Sequence, residues 1–276
     1  MDTKKDLSTV IGVIHSYLMT QKIEPEHNSL LIVGADVEDV EIARSLGFTD
    51  ITTSNIDGFG GHLALDAEAM NLPDDAFDIV FTHAVLHHCQ SPHKAVLECV
   101  RVCRKNFLFV EPNDSVFMKI ATKLKMHEPY EFPAIIAHNY EAGGVRNSAV
   151  PNYVYRWSAR DLTKTVASGF PEREIDIDIC QFFDFFVTRD DLDLRTTTRI
   201  PMLTSVLGTD RFISFLRLVQ RAANWLPSTR KQGNHFFAGI TKRGYQPWIA
   251  ITDGRPHMRR LDTKAAMSMS EVLAGD

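Results

Sequence analysis

Apolar residues in the first part of the chain form short runs that alternate with segments of helical periodicity. The wholly apolar or β-branched runs predict strands at residues 29–33, 50–55, 62–65, 77–82 and 106–110. Apolar positions three and four apart predict helices at residues 6–21, 37–46 and 92–104. Strand and helix thus alternate from residue 29 to residue 111. This order is typical of an open α/β sheet with mostly parallel strands and helices on both faces.

The rest of the chain has a less regular pattern. It predicts helices at residues 115–126 and 158–168, and strands at residues 175–187 and 234–241. Residues 127–156 contain proline, a Gly-Gly pair and several aromatic residues, as a long functional loop does. We expect one domain, residues 1–276, with these parts: a core at 29–112 and 158–244, a lid and substrate segment at 113–157, a helical insertion at 188–230, and a C-terminal tail at 245–276 with a weakly helical end.

Composition narrows the class of protein. The 276 residues carry a net charge of −5, with 44% hydrophobic and 24% charged residues, which is ordinary for a soluble globular protein. Without an excess of positive charge we expect no nucleic-acid partner. No run approaches the ~18 apolar residues of a membrane helix, and the N-terminus lacks a secretory cleavage site. We therefore expect a cytoplasmic protein without a membrane partner.

Two clusters of side chains have alternative interpretations. The aromatic cluster at residues 182–186 is expected to pack in the core or, with the helical insertion, in a homodimer contact. Cys99 and Cys103 would lie on one face of a helix near His87 and His88, where a metal site is imaginable. Because the sequence has no CxxC pair, we favour buried, reduced thiols in a reducing compartment and predict no metal site.

Candidate chemistry lies where the predicted strands end. In an open parallel sheet, ligands bind beyond the carboxyl ends of the strands, near the switch in strand order. Small or polar residues follow four of the predicted strands, at residues 34–36, 55–57, 66–68 and 82–84. These positions are therefore expected to meet along one edge of the sheet.

Two stretches of sequence carry a family resemblance that covers residues 29–112. The run LLIVGADVEDVEIARSLGF, residues 30–48, resembles the first motif of class I S-adenosylmethionine-dependent methyltransferases. The run LALDAEAMNLPDDAFDIVFTHAVLHHCQSPHKAVLECVRVCRKN, residues 63–106, resembles the middle of that family more closely. The resemblance implies a Rossmann-like sheet with an antiparallel last strand, and S-adenosylmethionine as cofactor.

The resemblance also implies a set of cofactor-binding residues. Gly34 would let the backbone approach the methionine part, and Asp66, with the backbone of Ala67 beside it, would bind the adenine amino group. Asn55 stands where the family has an acidic residue for the ribose, and Asp57 lies two residues further and could substitute. The implied set is Gly34, Ala35, Asp36, Asn55, Asp57, Asp66, Ala67 and His83.

This sequence departs from the family pattern in two places. Asp36 stands where a second glycine is expected, and residue 55 is Asn rather than a carboxylate. We suggest that Asp36 faces the ammonium group of the cofactor. The departures keep two alternatives open beside methyl transfer: a binding or scaffold protein with a degenerate fold, and an enzyme that retains the cofactor for another reaction.

Methyl transfer to oxygen or nitrogen can require a general base near the methyl group. The candidates are His83, His138 and Glu111, in falling order. The aromatic residues of the lid predict a substrate wall with these side chains: Tyr140, Tyr153, Tyr155 and Arg156. A long lid and the absence of a basic surface favour a small-molecule or sugar-type substrate, methylated on oxygen or nitrogen in a biosynthetic pathway.

Overall fold

The computed structural model describes residues 7–185, 188–195 and 197–259. The strands are β1 (Leu30–Val33), β2 (Ile51–Asn55), β3 (Leu63–Ala64), β4 (Phe77–His83), β5 (Cys103–Pro112), β6 (Arg173–Phe182), β7 (His235–Tyr245), β8 (Ile249–Thr252) and β9 (Arg255–Met258). The helices are α1 (Ser8–Gln21), α2 (Val37–Ser45), α3 (Pro92–Val102), α4 (Val116–Lys123), α5 (Phe132–Ala137), α6 (Ala159–Gly169), α7 (Arg189–Leu194), α8 (Ile200–Leu207), α9 (Thr209–Trp225) and α10 (Pro227–Arg230).

Seven strands form one sheet in the order β3-β2-β1-β4-β5-β7-β6. Strands β1 to β5 pair in parallel, and β7 runs antiparallel between β5 and β6. This confirms the predicted Rossmann-like sheet with its antiparallel last strand. The order reverses at β1, which has β2 on one side and β4 on the other, so a ligand crevice is expected above these strands.

The central strands are buried on both faces because helices cover both sides of the sheet. Alternate residues of β1 belong to different cores: Leu31 and Val33 pack on one side, and Leu30 and Ile32 on the other. Helices α3 and α6 contribute to the first core, and α1 and α2 contribute to the second. This double burial explains why the strands read as continuous apolar runs in the sequence.

Helix α1 is anchored to the sheet by a buried polar cluster. The Tyr17 hydroxyl lies 2.8 Å from Thr241 Oγ1, and Asn106 Nδ2 donates hydrogen bonds to both oxygens, at 3.0 and 2.9 Å. The Tyr17 ring lies directly over Gly239 of β7, where a Cβ would come within 2.2 Å of the ring. Glycine is therefore required at residue 239 for α1 to pack this closely.

Strand β6 ends earlier than the predicted strand at residues 175–187. After Phe182, the backbone N–H groups of the next residues donate to side-chain oxygens of other elements instead of to β7. Phe183 N donates to Asn224 Oδ1 of α9, and Asp184 N donates to Asn234 Oδ1, at 2.8 and 2.9 Å. Phe182 and Phe183 are buried, as expected for core residues. Residues 186 and 187 lie outside the described residues.

Other element boundaries also differ from the predictions. Helix α3 ends at Val102 rather than at residue 104, because Cys103 already pairs with Phe77 of β4. Cys99 and Cys103 therefore belong to different elements, and burial raises the pKa of both thiols, that of Cys103 to about 12. Both thiols therefore have little thiolate character, and the reduced state in a reducing compartment stays a prediction.

A hairpin of β8 and β9 lies within the tail, where no strand was predicted. Its turn is formed by Asp253 and Gly254, both with positive φ. An Asp-Gly pair is a strong hairpin signal, and the prediction overlooked it. The weakly helical end predicted for the tail lies outside the described residues.

The segment between β5 and α6 folds back onto the sheet at its base. Trp157 is fully buried; its backbone N–H donates to the Pro112 carbonyl at 2.8 Å, and its backbone carbonyl accepts from Asp114 N. Between these anchors lie α4, α5 and irregular backbone, here called the lid (residues 113–157). Helices α7 to α10 form the insertion between β6 and β7, around a small core of Leu192, Ile200 and Phe212. Among the described residues, no helix has both the length and the apolar character needed to cross a membrane.

We expect the substitution Tyr17→Phe to lower the free energy of unfolding by about 1–3 kcal/mol, because the amide of Asn106 and the hydroxyl of Thr241 each lose a buried partner. Chemical denaturation monitored by circular dichroism measures the change. Tyr245→Phe is the control, since Tyr245 is exposed at the end of β7. Equal stability of Tyr17→Phe and the parent protein would contradict this role of the cluster.

Candidate active site

A cavity of about 760 Å³ lies beyond the carboxyl ends of β1, β2, β3 and β4. Its position coincides with the reversal of strand order, and its volume is typical of pockets for small molecules. All of the residues predicted to bind the cofactor line it: Gly34, Ala35, Asp36, Asn55, Asp57, Asp66, Ala67 and His83. The strand ends therefore meet along one edge of the sheet.

The turn after β1 depends on Gly34. Its φ is +69°, and a Cβ at this position would lie 2.6 Å from Val85 in the loop after β4. Asp36 begins α2: its Oδ1 accepts from Asp39 N, while Asp39 Oδ2 accepts from Asp36 N, both at 3.0 Å. This capping box fixes the first turn of α2 and uses one oxygen of Asp36 within the protein.

The turn after β2 is closed by Asn55. Its Oδ1 accepts from Gly58 N at 2.6 Å, and its Nδ2 donates to the Phe59 carbonyl at 3.2 Å. Asp57 Oδ1 accepts a hydrogen bond from Phe59 N at 3.0 Å, and Asp57 Oδ2 accepts one from Asn147 Nδ2 of the lid at 3.2 Å. Both polar atoms of the Asn55 amide are thus bonded inside its own turn, whereas Asp57 bonds outward to the lid.

Asp66, after β3, connects the cavity to the lid. Its Oδ1 accepts from Glu68 N, and its Oδ2 forms an ion pair with Arg146 at 2.9 Å. Arg146 also reaches Glu68, whose carboxylate accepts from the backbone N–H groups of Gln90 and Ser91 before α3. Arg146 and Asn147 both have positive φ, so the lid turns sharply where its tip meets these carboxylates.

His83 forms a buried pair with Asp39, with 2.9 Å between Nδ1 and Oδ1. Burial lowers the pKa of His83, but the hydrogen bond and charge of Asp39 outweigh burial and raise the pKa above its ordinary value. Burial in turn raises the pKa of Asp39. The pair therefore holds a proton more tightly than a free histidine does, which disfavours His83 as a proton acceptor.

Glu111, at the end of β5, lies beneath the cavity rather than on its wall. One carboxylate oxygen accepts from Val85 N and Leu86 N, at 2.8 and 2.7 Å, and the other lies 2.6 Å from His87 Nδ1. The residue is fully buried, so its hydrogen bonds position the loop after β4. Its assignment as a general base stays a prediction that this geometry does not favour.

His87 joins Glu111 to Glu131 of the lid, whose carboxylate lies 3.1 Å from His87 Nε2. Burial lowers the pKa of His87, but the two carboxylates outweigh burial and raise the pKa to about 10. Burial raises the pKa of Glu131, but the bond from His87 lowers it to about 2. The sequence analysis assigned no role to Glu131, since a single glutamate in an irregular segment has no recognisable signal.

His138 faces the cavity from the lid, at the end of α5. Its Nδ1 lies 2.8 Å from the Ala134 carbonyl oxygen, which can only accept a hydrogen bond. The bond assigns the N–H to Nδ1, so the neutral ring carries its lone pair on Nε2. His138 therefore has the tautomer that a proton acceptor requires.

The predicted substrate residues lie outside the wall of the cavity. Tyr140 and Tyr153 are 68% and 56% exposed, and the Tyr155 hydroxyl is bonded to His93 Nε2 at 3.0 Å. Arg156 bonds to His127 and to the Glu128 carbonyl. Their role in substrate binding stays a prediction; in this geometry Tyr155 contacts α3, and Tyr153 and Arg156 contact other residues of the lid.

The lid instead contributes small and polar residues to the cavity, which the sequence analysis did not select. They are Ala134, Ala142, Gly143, Gly144, Arg146 and Asn147. A Cβ on Gly144 would come within 1.9 Å of the Val150 carbonyl oxygen, so this glycine is required for the fold of the lid. The Gly-Gly pair was a detectable signal for a close backbone contact, but the prediction concentrated on the neighbouring aromatic residues.

We expect Asp39→Asn to lower the pKa of His83, because burial would then be opposed only by the smaller effects of the Asp36 and Glu111 charges. The asparagine oxygen can still accept the Asp36 N–H in the capping box. NMR titration of the histidine ring signals measures the shift, and Asp57→Asn, in the same cavity, is the control. A His83 pKa that stays raised in Asp39→Asn would show that another group is responsible.

Part of the chain matches a known protein family. Residues 29–110 match the family model described as "Methyltransferase domain". No curated protein matches the chain at a significant level. The chain is also similar to solved structures. A putative methyltransferase from Bacillus halodurans has 16% identity and a TM-score of 0.43, with 86% of this chain and 100% of that chain covered.

Two further solved structures have the same kind of similarity. A SAM-dependent methyltransferase from Archaeoglobus fulgidus has 13% identity and a TM-score of 0.44, with 84% of this chain and 94% of that chain covered. Magnesium protoporphyrin IX methyltransferase from Synechocystis PCC 6803, with bound SAH, has 11% identity and a TM-score of 0.40, with coverages of 66% and 78%. Similarities at this level of identity concern the fold alone.

The matched segment contains all of the residues that line the cavity apart from those of the lid and His235 of β7. Residues 29–110 are thus similar to a methyltransferase domain, and they lie within a Rossmann-like sheet.

Proposed function

We propose that the enzyme methylates an oxygen or nitrogen atom of a small-molecule or sugar-type acceptor in a biosynthetic pathway of the cytoplasm. The observation that carries the proposal is the cavity of about 760 Å³, which has the strand ends on one side and the lid on the other. A lid that encloses both reactants excludes water and fits an acceptor of modest size. The reduced cysteines are consistent with a reducing compartment.

The residues at the strand ends fit the cofactor. The Gly34 turn leaves no room for a Cβ, and carboxylates are available after β2 and β3 to accept hydrogen bonds from hydroxyl and amino groups. We assign the ribose to Asp57 rather than to Asn55, because the Asn55 amide is already bonded within its own turn. Asp66 and the backbone of Ala67 would bind the adenine.

S-Adenosylmethionine supplies an electrophilic methyl group on a sulfonium. The protein aligns the acceptor with this group, and such alignment is worth up to about 7–11 kcal/mol. We assign proton removal to His138, because the N–H on its Nδ1 is fixed by Ala134 and its Nε2 is left to accept. His83, held by Asp39, shapes the wall of the cavity between β1 and β4.

Two experiments distinguish this function from its alternatives. Isothermal titration with S-adenosylmethionine and with its demethylated product tests for cofactor binding, which a degenerate scaffold would lack. Mass spectrometry of metabolite extracts incubated with the enzyme and the cofactor then tests for a product heavier by one methylene group. Binding without such a product, with the cofactor consumed, would favour a different reaction in the same cavity.

We expect Gly34→Ala to weaken cofactor binding at least about tenfold, because the new Cβ would displace Val85 and strain the turn. Isothermal titration with the demethylated cofactor measures the affinity. Gly254→Ala is a matched control, because Gly254 also has positive φ but has nothing within 4 Å of the added Cβ. Equal affinity of Gly34→Ala and the parent would exclude this turn from the cofactor site.

We expect His138→Gln to lower kcat by about 10²–10⁴-fold, because the general base is lost, while the affinity for the cofactor stays unchanged. The acceptor is the one that the mass spectrometry experiment identifies. Steady-state kinetics measured by formation of the demethylated cofactor provides the test. His257→Gln, in the β8–β9 hairpin, is the control. Unchanged kcat in His138→Gln would remove this histidine from the mechanism without affecting the assignment of the cofactor site.

A further inference from the structure

Two adjacent histidines and one carboxylate converge beside the cavity. His87 and His88 form the 3-10 turn after β4, and both direct Nε2 toward the same atom, Oε2 of Glu131, at 3.1 and 3.3 Å. Asn152 Nδ2 also donates to this oxygen, at 3.1 Å, and so helps to hold the carboxylate in place. The turn after β4 and the lid therefore meet at one carboxylate oxygen.

Hydrogen bonding alone does not satisfy all four nitrogen-to-oxygen contacts of this cluster. Each ring faces an oxygen at both nitrogens: His87 has Glu111 at Nδ1, and His88 has the Gly144 carbonyl at Nδ1, at 3.4 Å. Two neutral imidazoles supply only two N–H groups for four acceptor contacts. Full protonation would place two imidazolium rings with centroids 4.6 Å apart. Each way of protonating the rings leaves either facing lone pairs or adjacent like charges.

From this geometry we infer a binding site for a divalent first-row transition metal ion such as Zn²⁺, with His87 Nε2, His88 Nε2 and Glu131 Oε2 as ligands. The three ligand atoms lie within 4.8 Å of one another. Ligands at the usual metal distances are separated by about 2.9 Å in octahedral and about 3.4 Å in tetrahedral geometry. The two nitrogen-to-oxygen distances, 3.1 and 3.3 Å, lie between these values.

The surroundings of the cluster have the features of a metal site. The Glu111 carboxylate at His87 Nδ1 is the kind of partner that fixes the ring orientation of metal-binding histidines. Glu111 and Glu131 together would offset most of the charge of a dication. His88 also lines the cavity, and its side chain and that of Glu131 are 27% and 29% exposed. One coordination position would thus face the cavity, open to water or to an oxygen atom of the acceptor.

The metal would connect the lid to the turn after β4, independently of the proposed acceptor and base. The inference departs from our expectation of no metal site, which considered Cys99 and Cys103 as the partners of the histidines. Those thiols are not part of the cluster, and the oxygen ligand comes from the lid instead. The motif Leu-His-His alone could not reveal that ligand, because Glu131 lies 43 residues after His88.

The test uses the full chain, free of any affinity tag and stripped of metal by a chelator. We expect Co²⁺ to bind in 1:1 ratio with a visible absorption spectrum typical of nitrogen and oxygen ligands, and Zn²⁺ to displace it. Mg²⁺ should not compete, because it prefers oxygen ligands. Zn²⁺ should also raise the melting temperature, since it binds only the folded site.

Two conservative variants locate the site. Glu131→Gln and His88→Gln should each lower the affinity for Co²⁺ at least about tenfold, since loss of a residue that only orients a ligand already costs about 10–100-fold. Because both residues are partly exposed, we expect each variant to fold, and a circular dichroism spectrum equal to that of the parent protein would verify this. His27→Gln is the matched control, because His27 pairs with Glu24 on the surface without a second histidine.

Three outcomes would overturn the site: no 1:1 binding by the parent chain, equal binding by the parent and both variants, or loss of binding in His27→Gln. These results are separable from a failure of the proposed function, because metal binding is measured without cofactor or acceptor. Cofactor binding without metal binding would leave the methyltransferase assignment intact, and the reverse result would leave the metal site intact.

Discussion

The buried carboxylate of Glu111 is the contact on which the cavity depends. It lies at the end of β5, fully removed from solvent, and a charge in such a place is tolerated only when its oxygens are satisfied. The backbone N–H groups of Val85 and Leu86 and the ring of His87 satisfy them. These bonds hold the loop after β4, and Val85 in that loop touches the space where a Cβ of Gly34 would be. A bond beneath the sheet edge therefore sets the width of the cavity above it.

The lid is held strongly at its base and weakly at its tip. At the base, Trp157 is buried and its backbone is bonded to the chain on both sides of Asn113. At the tip, Arg146 and Asn147 contact Asp66 and Asp57 through partly exposed side chains, and exposed ion pairs contribute little stability. The tip can therefore leave these carboxylates at low cost when they are needed to bind a ligand. This difference is what a lid requires if it is to admit reactants and still return to one position.

The sequence predicted most of the sheet because burial on both faces leaves a direct trace in continuous apolar runs. The meeting of the strand ends could also be predicted from the sequence, since a parallel sheet brings them to one edge whatever the details of packing. The contacts of the lid could not be predicted in this way. Tyr140 and Tyr155 were selected for their aromatic character, yet an aromatic side chain can pack against the lid itself as well as line a cavity. Glu131, Arg146 and Asn147 act through distant partners, and nothing local in the sequence identifies those partners.

The single glycine of the first motif has a simple structural explanation. A glycine is needed where φ is positive or where a Cβ has no room, and Gly34 meets both conditions. Asp36 meets neither, because its φ of −115° and ψ of −174° are extended values that any residue adopts. An aspartate there also begins α2 through its capping box, which a second glycine could not do. At residue 36 the chain thus has a fixed helix start in place of backbone freedom that this turn does not use, and the aspartate adds a side chain to the lining of the cavity.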